Sequence, residues 1–328
     1  MDLAIKLYEG QGLGNQIFTI TSLYKLSLLT NRTPKIFDYQ NYKGKSFLDL
    51  NKEIFIFGKK KEFNTFYEIK DIVQQELISG LDKTNHKDFI YELFSSDCSK
   101  IILKGNLQNE FFLPQKEDLF KIFPILKSIK KRNNESEKKI LIHIRGGDYK
   151  KTLARPTRNF YYRSLNFLKS KYPISIICDD REFTEKLLPN FSIISKKESD
   201  LSDIDKAPHH LGFSIQSDFN LLIKSKFAII PASSFSYWAR IFSHIIYNDS
   251  ITVAPLNWYG YRLGNFFNSP LNYKYNDFVY INKKGDIFNS NDIEKNNKNK
   301  NQFLIKRVNL KPKIRTLINL LLINIFRK

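Results

Sequence analysis

Short apolar segments that alternate with helical patterns are the feature that most limits how this chain can fold. Four such segments follow one another between residues 140 and 255: ILIHIR, ISIICDD, FAIIPA and ITVAP. The second is followed by REFTEKLL and the third by SSFSYWARIF, and both of these have helical spacing. Strands that alternate with helices favour a parallel sheet with crossover helices. The sequence therefore predicts an α/β protein.

The N-terminus has the same pattern. LAIKLYE predicts a strand, GQGLGNQ predicts a glycine-rich loop, and apolar residues then recur at helical spacing between Ile17 and Leu28. Strand, loop and helix together open an α/β unit. Because 328 residues are enough for two domains, we predict two Rossmann-like α/β domains with parallel sheets that face one another across a cleft.

Changes in composition suggest the domain boundaries. The charged segment KSIKKRNNESEKK, residues 127–139, is predicted to connect an N-terminal domain, 1–126, to a C-terminal domain, 127–283. Residues 284–301 are of low complexity and are predicted to be a linker. The basic, amphipathic tail, 302–328, has an apolar run too short to span a bilayer. The tail could lie on an acidic lipid surface or pack back onto the protein, and both alternatives stay open.

The formal net charge of +20 favours an anionic partner, although a solvated basic surface would give the same number. No basic run is interleaved with stacking aromatics, so sequence-specific nucleic-acid binding is not favoured. Cys98 and Cys178 fit no metal or disulfide spacing, and a reducing cytoplasm is the expected compartment. The opening residues predict a strand rather than a signal peptide.

Polar residues follow three of the predicted strands, in HIRGGD, ICDD and PASSFS. Ligands of parallel α/β sheets bind beyond the carboxyl ends of the strands. The planar guanidinium of Arg145 suits phosphate oxygens, although an ion pair with Asp148 is the alternative. His143 lies on the same face of its strand, and it is either a donor to a phosphate or sugar hydroxyl or a core residue. Gly146 and Gly147 allow a ligand to approach the backbone, or simply form a tight turn.

The segment PASSFSYW places Ser233 or Ser234 at the start of a predicted helix. A helix N-terminus offers backbone N–H groups and a positive dipole end, which together can bind a phosphate. Ordinary helix capping explains the same serines equally well.

Two other motifs are weak. GQGLGNQ resembles half of a dinucleotide fingerprint, but Asn15 stands where the third glycine belongs. Asp203 and Asp205 form a D-x-D pattern that occurs often by chance, and the adjacent His209 and His210 lack partners at zinc-ligand spacing. No metal site is therefore predicted.

Three separated segments, GQGLGNQIF, HIRGGDY and SSFSYWARIF, resemble in this order the signature motifs of glycosyltransferase family 11, the α-1,2-fucosyltransferases. The family patterns are approximately G-G-L-G-N-Q, H-x-R-R-G-D-Y and N-S-S-F-S-W-W. GNLQNEFFL and APLNWY are weaker matches, so the resemblance runs from about residue 5 to 260. This chain departs from the patterns at Gly146, where the family has its second arginine, and at Ala232 and Tyr237.

The resemblance implies a GT-B-type fold, GDP-fucose as donor, inversion at the anomeric carbon of fucose, and no metal or other cofactor. Arg145 would bind the donor diphosphate, with His143 beside it and Asp148 as a further catalytic candidate. The remaining donor-binding residues implied by the motifs are Gly12, Gly14, Asn15, Gly147, Ser233, Ser234, Phe235 and Ser236.

The expected function is therefore transfer of L-fucose from GDP-fucose to the 2-OH of a galactose in a bacterial surface glycan, with the acceptor on the N-terminal domain. Because Gly146 replaces an arginine, another GDP-sugar or another linkage is the first alternative. A non-catalytic, basic polyanion-binding protein is the second, but it does not explain three ordered strand ends. Glu9, Asp148 and His143 all stay open as the general base. The expected location is cytoplasmic, with peripheral membrane association through the tail as an open alternative.

Overall fold

The chain forms two lobes, each built around a parallel sheet. They are seen in a computed structural model that describes residues 1–59, 67–69, 99–103, 105–107, 112–132, 137–151, 155–169, 171–194, 215–256 and 278–289. Among these residues no helix has the length and apolarity needed to cross a bilayer.

The sheet of the first lobe is centred on β1 (Asp2–Lys6) and has the order β3-β2-β1-β5-β4. All of its pairings are parallel. The side chains of β1 are buried on both faces of the sheet, because Leu3 and Ile5 pack in the main core and Ala4 packs with Phe37 and Ile102 on the opposite face. The other strands are β2 (Thr33–Phe37), β3 (Ile56–Gly58), β4 (Tyr67–Ile69) and β5 (Lys100–Leu103).

Helix α1 (Leu13–Thr30) follows β1 and is buried on most of its surface. It begins four residues before Ile17, so the segment LGNQ, predicted as loop, is its first turn. The helix ends where Asn31 adopts a left-handed conformation, with φ 50°. Two further helices, α2 (Lys116–Ile122) and α3 (Ile125–Arg132), complete the described part of this lobe.

The sheet of the second lobe has the order β12-β11-β10-β9-β6-β7-β8. Its pairings are parallel except that between β11 and β12, which is antiparallel. From β8 to β11 this is the doubly wound 3-2-1-4-5-6 order of dinucleotide-binding folds. The strands are β6 (Glu137–Ile144), β7 (Ile174–Cys178), β8 (Ser192–Ile193), β9 (Ser225–Ile229), β10 (Ile251–Pro255), β11 (Phe278–Ile281) and β12 (Ile287–Phe288).

Helices α4 (Arg158–Leu168), α5 (Arg181–Leu187), α6 (Ile215–Lys224) and α7 (Ser234–Ile246) belong to this second lobe. Arg240 of α7 is fully buried and holds several of these elements together. Its guanidinium donates to Thr252 Oγ1 at 2.7 Å, and to the carbonyl oxygens of Leu222 at 2.6 Å and Ser225 at 2.7 Å. Burial lowers the pKa of Arg240 to about 9. The side chain therefore stays protonated at neutral pH while it joins α6, β9 and β10.

The two lobes meet where α1 and α7 begin. A Cβ placed on Gly14 would overlap the carbonyl group of Ser234 and the backbone nitrogen of the next residue. One turn further along α1, the Phe18 ring packs against Trp238 with ring centroids 5.0 Å apart and against Tyr237 at 5.4 Å. Since α1 follows the carboxyl end of β1 and α7 follows that of β9, the carboxyl edges of both sheets meet here. The predicted α/β fold of GT-B type, with two parallel Rossmann-like sheets, is confirmed.

Two segments that the sequence predicted to be connections contain helix or strand. The segment 127–139 includes most of α3 and the start of β6, because apolar residues of α3 pack against the core. The predicted linker 284–301 starts too early, since its first residues form the turn and strand of the β11–β12 hairpin. Residues 290–301, the tail 302–328, Cys98, Asp203, Asp205, His209 and His210 lie outside the described residues.

Candidate active site

The order of the second sheet creates a crevice between β6 and β9. The chain runs outward from β6 through β7 to β8, then returns to place β9 on the other side of β6. Ligands of open α/β sheets bind at such a switch point, beyond the carboxyl ends of the two strands. His143 and Arg145 lie at the end of β6, and Ser233 lies four residues after β9.

Arg145 is fixed by an ion pair that the sequence did not predict. Its Nη1 lies 2.6 Å from Oδ2 of Asp179, whose side chain has no exposed surface. The other carboxylate oxygen accepts a hydrogen bond from the backbone N–H of Gly146 at 2.6 Å. The guanidinium also lies 5.6 Å from the centre of the Tyr149 ring. Asp148 was the ion-pair partner of Arg145 considered from the sequence. The structure describes only its backbone, which forms a short 3-10 helix over Asp148–Lys151.

Tyr149 connects this arginine to the region after β9, since its hydroxyl donates to the carbonyl oxygen of Ala232 at 2.8 Å. The Arg145 side chain is 16% exposed, so it is held firmly but still reaches the surface of the crevice. A guanidinium oriented in this way is suited to an anionic ligand because it needs no reorganisation to bind.

Gly146 explains the departure from the family pattern. A Cβ at this position would lie 2.6 Å from Asp180 Cβ and 3.0 Å from a ring carbon of Phe183. The start of α5 therefore fills the space that a second arginine side chain would need. Gly147 follows in the same loop and is half-buried.

His143 is a neutral, buried imidazole. It is 3% exposed, and its ring packs edge-on against Phe235 with centroids 5.8 Å apart. Burial, together with the positive charge of Arg145, lowers the pKa of His143 to about 3. Its Nδ1 makes no hydrogen bond among the described residues. A group with so low a pKa is a poor general base at neutral pH.

This pKa predicts how stability depends on pH. Above pH 6.5 His143 is neutral in both the folded and the unfolded chain, whereas between about 3 and 6.5 only the unfolded chain takes up a proton. Stability should therefore fall as the pH falls through this window, by up to about 1.4 kcal/mol per pH unit. We expect His143→Asn to lose less stability than the unsubstituted protein between neutral and mildly acidic pH, as measured by urea unfolding.

Buried His244 adds a dependence of the same sign, because its pKa also lies well below the usual value. In the unsubstituted protein two histidines should thus make stability depend on pH, and in His143→Asn only His244 of this pair should do so. Equal losses in the two proteins would contradict the neutral state of His143.

The start of α7 lies beside these residues with no side-chain cap. Ser233 occupies the N-cap position, yet its hydroxyl accepts no hydrogen bond from the first turn, and that turn has no acidic residue. Ser236 instead donates its hydroxyl to the carbonyl oxygen of Ser233 at 3.3 Å. Helix α5 differs, because Asp180 caps it by accepting a hydrogen bond from the N–H of Phe183 at 2.9 Å. The N–H groups and positive dipole end of α7 are thus suited to an external anion.

The glycine-rich loop of the first lobe lies opposite. Gly14 makes the close contact with Ser234, and Asn15 follows it in the first turn of α1. By contrast, a Cβ on Gly12 would meet no atom within 4 Å. Gly14 and Ser234 bring predicted residues of the two lobes into contact. Within the second lobe, His143 packs against Phe235, and Arg145 is linked through Tyr149 to Ala232.

Gln16 is a residue of this region whose role the sequence did not indicate. Its buried amide donates to the carbonyl oxygen of Asn41 at 2.9 Å and accepts from the N–H of Lys43 at 2.9 Å. It thereby fixes the start of α1 to the loop after β2.

No group of three or more histidine, cysteine or acidic side chains in the described parts of the chain is arranged to hold a metal ion. The D-x-D residues lie outside those parts, so the expected metal independence stays a prediction.

Two doubly wound sheets, whose carboxyl edges meet where α1 and α7 begin, define a two-lobed α/β protein of the GT-B class. The family model described as glycosyl transferase family 11 matches residues 10–282. The chain therefore belongs to glycosyltransferase family 11, which comprises fucosyltransferases. No match is found among curated proteins.

Several solved structures are similar. Fucosyltransferase NodZ from Bradyrhizobium is 14% identical, with 88% of this chain and 98% of that chain covered and a TM-score of 0.47. NodZ α-1,6-fucosyltransferase co-crystallised with GDP is 16% identical, with 74% and 92% covered and a TM-score of 0.43. A mutant of Arabidopsis thaliana FUT1 in complex with GDP is 12% identical, with 74% and 68% covered and a TM-score of 0.39. At these values the similarities carry no argument about substrate.

Proposed function

We propose that this family 11 enzyme transfers L-fucose from GDP-fucose to the 2-OH of a galactose, with inversion at the anomeric carbon and without a metal. The observation that carries the proposal is the position of Arg145, which Asp179 holds at the switch point near the uncapped start of α7. A guanidinium and a helix N-terminus are both binding groups for phosphate. Their combination suits the diphosphate of a nucleotide sugar.

In the proposed reaction the acceptor hydroxyl attacks C1 of fucose, and the bond from C1 to the β-phosphate oxygen breaks. The bonding electrons leave with GDP, so negative charge develops on the β-phosphate. Arg145 and backbone N–H groups at Ser234 and Ser236 stabilise that charge, which is the work a metal does in other transferases. The acceptor proton passes to a base. His143 is poorly suited because of its low pKa, whereas exposed Glu9 follows the carboxyl end of β1.

A second candidate function is transfer from another GDP-sugar or to another hydroxyl. It is favoured by Gly146, where Asp180 and Phe183 leave no space for a second arginine. The donor and the linkage therefore need separate tests.

Calorimetric titration in the presence of EDTA tests the donor. We expect saturable binding of GDP and GDP-fucose and no binding of UDP, because the proposed site is specific for a guanosine diphosphate. The matched comparison is GDP-mannose, which should bind no better than GDP if fucose itself is recognised. Binding of UDP, or of neither nucleotide, would contradict the proposal.

Product analysis tests the chemistry. With a β-galactoside acceptor, we expect a 2-linked α-fucoside whose formation persists in EDTA. A 6-linked product would overturn the linkage alone. Transfer that EDTA abolishes and Mn²⁺ restores would implicate Asp203 and Asp205 in the site. Steeply salt-dependent polyanion binding with no saturable GDP site would instead indicate the non-catalytic alternative.

A further inference from the structure

The first sheet has a switch point of its own, bordered by the same glycine-rich loop that faces the proposed donor site. The chain moves from β1 to β2 and β3 on one side, while β5 and β4 lie on the other side of β1. The loops that follow β1 and β5 therefore border a second crevice at the carboxyl edge of this sheet. Because the start of α1 touches the start of α7, this crevice opens next to the proposed donor site.

The loop after β1 has a fixed backbone. The N–H of Gln11 donates to the carbonyl oxygen of Tyr8 at 3.1 Å, which closes a tight turn. Gly10, with φ 84°, supplies the left-handed conformation that this turn needs. Just before the turn, Asn41 donates its side-chain amide to the carbonyl oxygen of Leu7 at 3.0 Å. The position of Tyr8 is thus set before any ligand arrives.

The Tyr8 side chain is exposed at this fixed position. It is 48% exposed, between buried Leu7 and the turn. Of the large apolar side chains that are exposed in the described residues, Tyr8 alone follows the central strand of a sheet. An aromatic ring held at a ligand-binding edge presents a flat apolar face together with a polar hydroxyl.

Polar groups lie at the other end of the turn. The amide nitrogen of Gln11 donates to Asn106 Oδ1 at 3.2 Å and to Thr19 Oγ1 at 3.4 Å, which joins the loops after β1 and β5. Gln11 is 1% exposed, and its amide oxygen has no hydrogen-bond donor among the described residues. The Gln11 side chain is thus enclosed by the loops that it joins, and it helps to fix the turn that presents Tyr8.

Gly12 gives independent support. Its backbone angles, φ −63° and ψ 147°, are accessible to any residue, and an added Cβ would meet nothing within 4 Å. Neither conformation nor packing requires glycine here. A bare backbone that faces open space beside Gln11 suits the close approach of a ligand.

We propose that Tyr8 and the open backbone at Gly12 border the binding site for the acceptor sugar and that Tyr8 determines its specificity for galactose. The inference rests on the proposed fucosyl transfer. The axial 4-OH of galactose leaves one ring face with contiguous C–H groups, which can stack on the Tyr8 ring. Stacking of this kind orients the sugar and leaves its other hydroxyls free to react.

The proposal is tested with Tyr8→Ala, Tyr8→Phe and the control Leu28→Ala, which changes an exposed apolar side chain at the other end of α1. We expect Tyr8→Ala to raise the acceptor KM about tenfold, the loss typical of one aromatic contact. It should also lose the preference for a galactoside over its 4-epimer, a glucoside. Tyr8→Phe keeps the aromatic ring and should have nearly the same acceptor KM as the unsubstituted protein. Leu28→Ala should have an unchanged acceptor KM.

Two further measurements separate this site from the donor site. The Kd for GDP should be the same in all four proteins, whereas failure of the unsubstituted protein to bind GDP would overturn the proposed function itself. Saturation-transfer NMR of lactose with the GDP-loaded protein should show the strongest contact at H3, H4 and H5 of galactose. The acceptor proposal is overturned if lactose does not bind the GDP-loaded protein, or if Tyr8→Ala leaves the acceptor KM within twofold of normal.

Discussion

Arg145→Ala is expected to lower transfer from GDP-fucose by about 100- to 1,000-fold, the usual cost of removing one preorganised donor to a developing negative charge. The guanidinium is fixed by Asp179 before any ligand binds, so its loss removes stabilisation that no flexible neighbour replaces. The measurement is kcat under saturating donor and acceptor, with circular dichroism as a check of folding.

The same substitution leaves the buried Asp179 carboxylate without its cation, which can cost about 3–5 kcal/mol of stability. The double variant Arg145→Ala/Asp179→Asn separates the two effects. Asparagine keeps an acceptor for the N–H of Gly146 but removes the buried charge. We expect the double variant to recover stability but not transfer activity. Recovered transfer would show that Arg145 acts only through the fold.

Among substitutions that add a single methyl group in the first lobe, Gly14→Ala is expected to be the most destabilising. The added Cβ would overlap backbone atoms of Ser234 and Phe235, and backbone atoms cannot rotate away as a side chain can. We expect a loss of about 3 kcal/mol or more in the free energy of unfolding, at the upper end of overpacking costs. Displacing the start of α7 by about 1 Å should also lower kcat/KM about 100-fold.

Gly12→Ala is the matched control, two residues earlier in the same loop. Its Cβ would meet no atom within 4 Å, so its unfolding free energy should stay within about 0.5 kcal/mol of normal. Urea unfolding of both variants provides the comparison. Equal stability of Gly12→Ala and Gly14→Ala would contradict the close contact between the lobes.

The order of strands and helices in the second lobe could be predicted because it depends on local patterns. ILIHIR, ISIIC, FAIIP and ITVAP each contain buried strand residues, and SSFSYWARIF begins the most buried helix of the lobe. The predicted boundaries of helices and strands were less accurate where a glycine or charged residues interrupt the apolar pattern. Gly14 lies inside α1, and β6 begins at Glu137 within a charged segment.

The positions of the candidate site residues followed from the rule for parallel sheets, but their partners did not. Ile144 of β6 pairs with Cys178 of β7, and this register places Arg145 next to Asp179. The register is set by packing across the sheet, which a single sequence does not reveal. The roles of Gln16 and Arg240 depend on backbone carbonyls and N–H groups of other elements, and no sequence pattern marks those groups.

The contact of Gly14 with Ser234 has a mechanical consequence. Any opening of the lobes that keeps this contact must turn about a point where two helices begin, as at a ball joint. Atoms near that point travel least, and those further away along the crevice travel furthest. A nucleotide whose phosphates lie there would keep its phosphate end almost stationary, while the lobes admit or release its base and its sugar.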